Sequence, residues 1–158
     1  MRRALFALSA FLLATLAHDA GARAQTASDQ TVLGPGLYVF QTRTVSASCG
    51  DDERTGYVSS WVAAIDGVPG SASMTMHVVD NQYWSTWTLT ISADGVISGE
   101  SFLTGSSGPN RPRNTFHVTR DSGGRFTGRS VRSYQRTEGG VAQQCEVTSD
   151  ALLRRIDL

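Results

Sequence analysis

Few side chains in this sequence could do chemistry, and most of them stand alone. ASCGDDERTG, residues 47–56, sets Asp51, Asp52 and Glu53 just behind Cys49, and the chain's only other cysteine is Cys145. Carboxylates are hard oxygen ligands of the kind calcium uses. A calcium loop spaces its ligands around an interior glycine, which this run lacks, and Arg54 opposes a cation there. The triplet reads as a solvated turn. His77 alternates against Met76 and Val78, and His117 against Phe116 and Val118. Both read as outward strand residues, and no disposable thiolate exists to complete a zinc site. TGSSG, residues 104–108, has neither the G-x-S-x-G spacing nor the strand-to-helix setting of a nucleophile elbow. Inward strand faces carry few carboxylates, so acid–base hydrolysis lacks its pair. These residue types point to no metal, no cofactor and no catalytic group: a protein that is not an enzyme.

The cysteines take their meaning from the start of the chain. Arg2 and Arg3 precede an apolar run over residues 4–17, and Ala22-Arg23-Ala24 forms a small-x-small cleavage signal. Residues 1–24 read as a secretory signal peptide, with a periplasmic or extracellular destination. The run is short for a bilayer span and no second one follows, so stable membrane insertion is not expected. Without the leader, 11 arginines face 13 acidic residues and lysine is absent, a net charge of about −2 that offers nothing to nucleic acid. A polar lead-in over residues 25–35 then leads into a single domain over 36–158. Two cysteines in an oxidising compartment allow one intramolecular pair, Cys49 with Cys145. Closing a loop of roughly a hundred residues removes unfolded-state entropy worth on the order of 4 to 5 kcal/mol.

Beyond the lead-in, the sequence alternates apolar and polar residues in short segments separated by Gly, Asp, Asn, Ser and Pro. Strands are expected near 36–46, 56–66, 72–80, 83–92, 95–104, 113–121, 125–135, 141–149 and 151–157, the last two either separate or one bent element. Asp80-Asn81, Ala93-Asp94-Gly95 and Asp121-Ser122-Gly123-Gly124 supply hairpin turns between them. GSSGPNRPRN, residues 105–114, reads as an exposed loop. The fold class is all-β, a small antiparallel up-and-down barrel of about eight strands, with a β-sandwich as the alternative. A barrel removes both sheet edges by pairing first strand with last, and a Cys49–Cys145 bridge would join those same regions. The strand rhythm and its aromatic faces resemble small secreted barrels of lipocalin-like or avidin-like architecture. That resemblance concerns architecture alone, and no residue roles follow from it.

Under simple alternation Tyr38, Tyr57, Trp61, Tyr83, Trp87, Phe102, Phe116, Phe126 and Tyr134 fall in apolar register. Glu100 shares the face of Phe102, and Arg132 that of Phe126 and Tyr134. A shared interior would pair the two charges, whereas a local bulge would turn one or both outward. The expected site is an aromatic-lined interior that binds a small, partly apolar molecule through Trp61, Trp87, Glu100, Arg132 and Tyr134. Trp84 faces away from Trp87, as a contact for another subunit or protein or as packing against the long loop. The competing reading is a protein-binding module on a disulfide-fixed rim, such as an inhibitor of a periplasmic or secreted protease, or an envelope-structural protein. Nothing in the sequence specifies an oligomeric state.

Overall fold

Period-two patterning carries through into eight strands: β1 (Gly36–Ala47), β2 (Val58–Asp66), β3 (Ser73–Val78), β4 (Thr86–Ile91), β5 (Ile97–Phe102), β6 (Arg113–Arg120), β7 (Phe126–Glu138) and β8 (Val141–Arg155). The computed structural model describes residues 33–49 and 54–157. The leader, most of the polar lead-in and the acidic triplet Asp51, Asp52 and Glu53 lie outside the described residues. Each strand pairs antiparallel with the next, and β8 returns to β1, so the sheet is a closed barrel. This is the up-and-down architecture of lipocalin-like and avidin-like domains rather than a sandwich, because no strand is left at an edge. The two segments expected at the C-terminus are one strand, β8. At the closure Phe40 lies opposite Leu153, and a β-bulge interrupts the register between Thr44 and Ser46.

Turn chemistry holds the meander in register. Gly139 and Gly140 both have positive φ, 58° and 83°, and connect the paired residues Glu138 and Val141. That is the conformation a two-residue hairpin needs and glycine adopts without strain. Between β6 and β7, Asp121 Oδ1 accepts hydrogen bonds from the backbone N–H groups of Gly123 and Arg125, each at 2.9 Å.

One end of the barrel is filled. Ala63, Ile65, Met76, Leu89, Ile97, Val118 and Leu153 are each no more than 1% exposed and share one cluster with Tyr38 and Phe126. Leu33, from the end of the lead-in, is buried in the same cluster, and the Tyr38 hydroxyl donates to the Gly34 carbonyl at 2.8 Å. Close packing requires two glycines of ordinary backbone conformation. A Cβ on Gly99 would stand 2.2 Å from Cε1 of Phe116, and one on Gly128 would stand 2.0 Å from the His117 carbonyl oxygen. At the other end Cys49 and Cys145 form the expected disulfide, with Cα atoms 5.4 Å apart. Beside it the Ser48 N–H donates to the Glu146 carbonyl at 2.9 Å, and the Glu146 N–H to Ser48 Oγ at 2.8 Å. The bridge thus joins the end of β1 to the start of β8.

Candidate functional site

Following the inward positions along the strands locates the site. On β1 they run Tyr38, Phe40, Thr42, Thr44, and on β2, in the reverse direction, Ile65, Ala63, Trp61, Ser59. On β6 they run Val118, Phe116, Asn114, and on β8 Leu153, Ala151, Ser149, Val147. On each of these strands the inward set passes from bulky apolar residues through an aromatic or small one to a polar one, Val147 excepted. Small polar side chains cannot fill a barrel interior. A cavity of about 700 Å³ opens at this end.

Its floor is a cluster of rings. Phe40 stacks on Trp61 with centroids 5.9 Å apart and planes 29° apart, and meets Trp87 edge-on at 5.4 Å. Phe116 sits 5.3 Å from both Phe40 and Trp87. Offset and edge contacts of this kind hold aromatic side chains in fixed orientations. Trp87 is 1% exposed, and its indole N–H is satisfied by the Trp84 carbonyl at 3.0 Å. That bond also anchors the β3–β4 loop, which forms one side of the mouth.

The loop is built by its own side chains. Asn81 Oδ1 accepts from the backbone N–H groups of Tyr83 and Trp84, at 3.1 and 3.0 Å, while Asp80 takes a positive φ of 61°. Asn and Asp are the residues that favour such local turns. The Val78 N–H donates to Ser85 O at 2.8 Å, and the Thr104 N–H donates to Tyr83 O at 2.9 Å. Strand β3 and the β5–β6 loop therefore clamp it from both sides.

The opposite wall is polar. Asn114 and Arg132 are cross-strand partners on β6 and β7, as are Ser130 and Ser149 on β7 and β8, and all four line the cavity. Ser130 Oγ donates to Asn114 Oδ1 at 3.1 Å. The Arg132 guanidinium lies 5.5 Å from the Tyr134 ring centroid. The β6–β8 side thus contributes an arginine, an amide and hydroxyls, while the β2–β4 side sets its tryptophans among the polar Ser59, Asp80, Asn81, Gln82 and Ser85.

Trp61, Trp87 and Arg132 come together in this cavity, but Glu100 and Tyr134 do not. Glu100 is outside the barrel. On β5 the inward row is Ile97, Gly99 and Ser101, so Glu100 and Phe102 face outward together, with Glu100 ion-paired to Arg113 and Arg111 stacked over Phe102. No bulge is involved: the alternation holds, with the small residues inside because Phe116 occupies the space over Gly99. Tyr134 shares the inward parity of Arg132 but lies past the cavity lining, opposite Cys145 in the register. Trp84 is no outward strand residue. It belongs to the β3–β4 loop, is half-buried against the core and lines the cavity. Thr42, Ser59, Asn114, Ser130 and Ser149 were not singled out from the sequence, although one step along the parity of Phe40, Trp61 and Phe116 reaches Thr42, Ser59 and Asn114, and one step from Arg132 reaches Ser130.

Burial pushes the Tyr38 phenol up at the packed end. The Ser92 hydroxyl holds the Asp94 carboxyl down, and the Arg125 backbone N–H does so for Asp121, both in exposed hairpin turns. Among the described residues no group of three or more His, Cys, Asp and Glu side chains is placed to hold a metal ion. The cavity therefore presents stacking surface and hydrogen-bonding groups. No family model matches this chain, and no curated protein matches it in sequence.

Proposed function

We propose that this protein is an exported, non-catalytic barrel that holds one small, partly apolar molecule in the open half of its interior. The observation that carries this reading is the ring floor of Phe40, Trp61 and Trp87, backed by the buried Phe116, in a cavity of about 700 Å³ lined also by polar side chains. Ligand pockets of roughly 300–1,000 Å³ with apolar lining and a few placed polar groups are the usual form of small-molecule sites. Export is supported by the leader and by the Cys49–Cys145 bridge, since such bonds persist in oxidising compartments.

The test is recovery of the occupant. Protein purified without denaturation from its native extract carries a small molecule that unfolding releases, and calorimetric titration returns that molecule to the site. Trp61→Ala, confirmed as folded by near-ultraviolet circular dichroism, weakens the binding tenfold or more. Protein that releases nothing, or a folded Trp61→Ala that binds as tightly as wild type, overturns the proposal. One observation favours a protein partner instead: Tyr57 and Tyr83 stand 57% and 59% exposed at the open end. An inhibitor of a secreted protease, or an envelope-structural protein, would use such a rim, and capture of one secreted protein by a barrel with an empty cavity would support that reading.

A further inference from the structure

Five neighbouring strands each place a small neutral polar side chain in the cavity. Around the barrel these are Ser59 on β2, Thr42 on β1, Ser149 on β8, Ser130 on β7 and Asn114 on β6. Thr42 and Ser59 lie opposite one another, one inward step beyond the opposed pair Phe40 and Trp61, and Ser149 lies opposite Ser130. Ser130 Oγ donates to Asn114 Oδ1 at 3.1 Å, which keeps the Asn114 amide N–H groups as donors. Among the described residues no protein group bonds the hydroxyls of Thr42, Ser59 or Ser149. Ser149 is only 6% exposed and lines the cavity, so the cavity is where its hydroxyl finds a partner.

The spacing of these groups narrows the class of occupant. Neighbouring strands stand about 4.8 Å apart, so the five surround a ligand along an arc instead of meeting it at one point. A molecule with a single polar head would reach one or two of them and take water from the rest without replacing its bonds, which weakens binding. All five are neutral, and among the described residues the two charges lining the cavity, Asp80 and Arg132, are of opposite sign. The geometry points to a neutral sugar ring, whose hydroxyls are spread around its rim and each donate and accept, as those of the arc do. This rests on the small-molecule reading above, of which a sugar, polar at its rim and apolar on its faces, is one case. The rim exchanges hydrogen bonds with the arc, and a C–H face packs against Trp61 and Trp84, which are partly buried and line the same cavity. Indole faces carry the negative side of the ring quadrupole and attract the weakly positive C–H groups.

Calorimetric titration with methyl glucoside, methyl galactoside, methyl mannoside and cyclohexanol tests the class. At least one glycoside binds about tenfold tighter than cyclohexanol, a ring of the same size with one hydroxyl. Thr42→Val and Ser149→Ala, each confirmed as folded by near-ultraviolet circular dichroism, weaken that glycoside about fivefold. Ser98→Ala, whose hydroxyl bonds His117 Nδ1 on the outer face, stays within about twofold of wild type. One monodeoxy analogue of the glycoside is weakened as much in wild type and no further in Ser149→Ala, because both changes remove the same bond. Should Ser149→Ala weaken the glycoside and every monodeoxy analogue alike, the hydroxyl acts through the fold and the arc is no binding surface. If no glycoside binds more tightly than cyclohexanol, the sugar assignment is overturned. Recovery of another small molecule from native extract would then leave the binding barrel standing, whereas a barrel that releases nothing would remove both.

Discussion

The packed and open ends of this barrel are made from the same strands with the same alternation, yet one builds a core and the other a cavity. Leu153 and Ser149 lie four positions apart on the inward face of β8 and are both nearly buried, at 0% and 6% exposed. One is enclosed by side chains and the other faces open volume. Strand geometry decides which way a residue points, and residue volume decides whether anything is left to bind. A closed barrel already satisfies its backbone hydrogen bonds from end to end, so the open half does not have to be filled to be folded. It gives up buried apolar area, and the Cys49–Cys145 bridge stands where that area is missing.

If that division of labour holds, the largest single loss of stability comes from the open end. Cys145→Ser releases a loop of 96 residues, and loop-closure entropy sets the effect on the order of 4 to 5 kcal/mol. Denaturant unfolding measures the total, and hydrogen exchange locates it: the amides of Ser48 and Glu146 exchange faster through local opening, ahead of those on β3 and β4. Uniform acceleration across the barrel, with no excess at Ser48 and Glu146, would mean that the bridge acts through the unfolded chain alone and is no substitute for packing.

A second comparison uses β8 alone. Leu153→Ala leaves a cavity in the core and costs about 3 kcal/mol, while Ser149→Ala stays within about 1 kcal/mol. Binding of the small molecule recovered from native extract reverses the order, falling several-fold in Ser149→Ala and staying within twofold in Leu153→Ala. A ligand effect that simply followed the stability loss in both variants would erase the distinction between the ends.

Much of this arrangement was legible in the sequence because alternation is a local signal. The strands, most of the turns, the closure and the disulfide follow from period two, turn residues and one possible cysteine pair. What escaped was what alternation cannot weigh. In ISGESF the bulky Phe102 and charged Glu100 share one face, and Ile97, Gly99 and Ser101 share the other. Counting large residues selects the wrong face, because the reason for Gly99 is the Phe116 ring from the neighbouring strand. Trp84 escaped for a different reason. It sits in a loop organised by the side chain of Asn81, where parity has no meaning. The polar wall was invisible for a third: Ser and Thr on an inward row look like misplaced surface residues until the space around them is known.

The smallest expected effect tests the packed end. Tyr38 is 2% exposed, its hydroxyl bonds the Gly34 carbonyl, and burial holds its phenol above the ordinary value of 10. The raised value gives the sign. The folded state resists losing the proton more than the unfolded chain does, so the contribution is complete below pH 10 and is lost as pH climbs from there through the folded-state value. Tyr38→Phe removes the hydroxyl's bond to the Gly34 carbonyl and the longer one it accepts from the Gly34 N–H at 3.4 Å, a loss of about 1 kcal/mol at neutral pH, and removes this group's alkaline dependence. Wild type and variant therefore differ by a constant amount from neutrality to about pH 10, and converge above it as the wild type loses stability faster. Urea unfolding midpoints at several pH values read the gap directly. A gap that stays constant above pH 10 would mean that Tyr38 ionises as readily in the barrel as in the unfolded chain, and that the packed end is wetter than its burial implies.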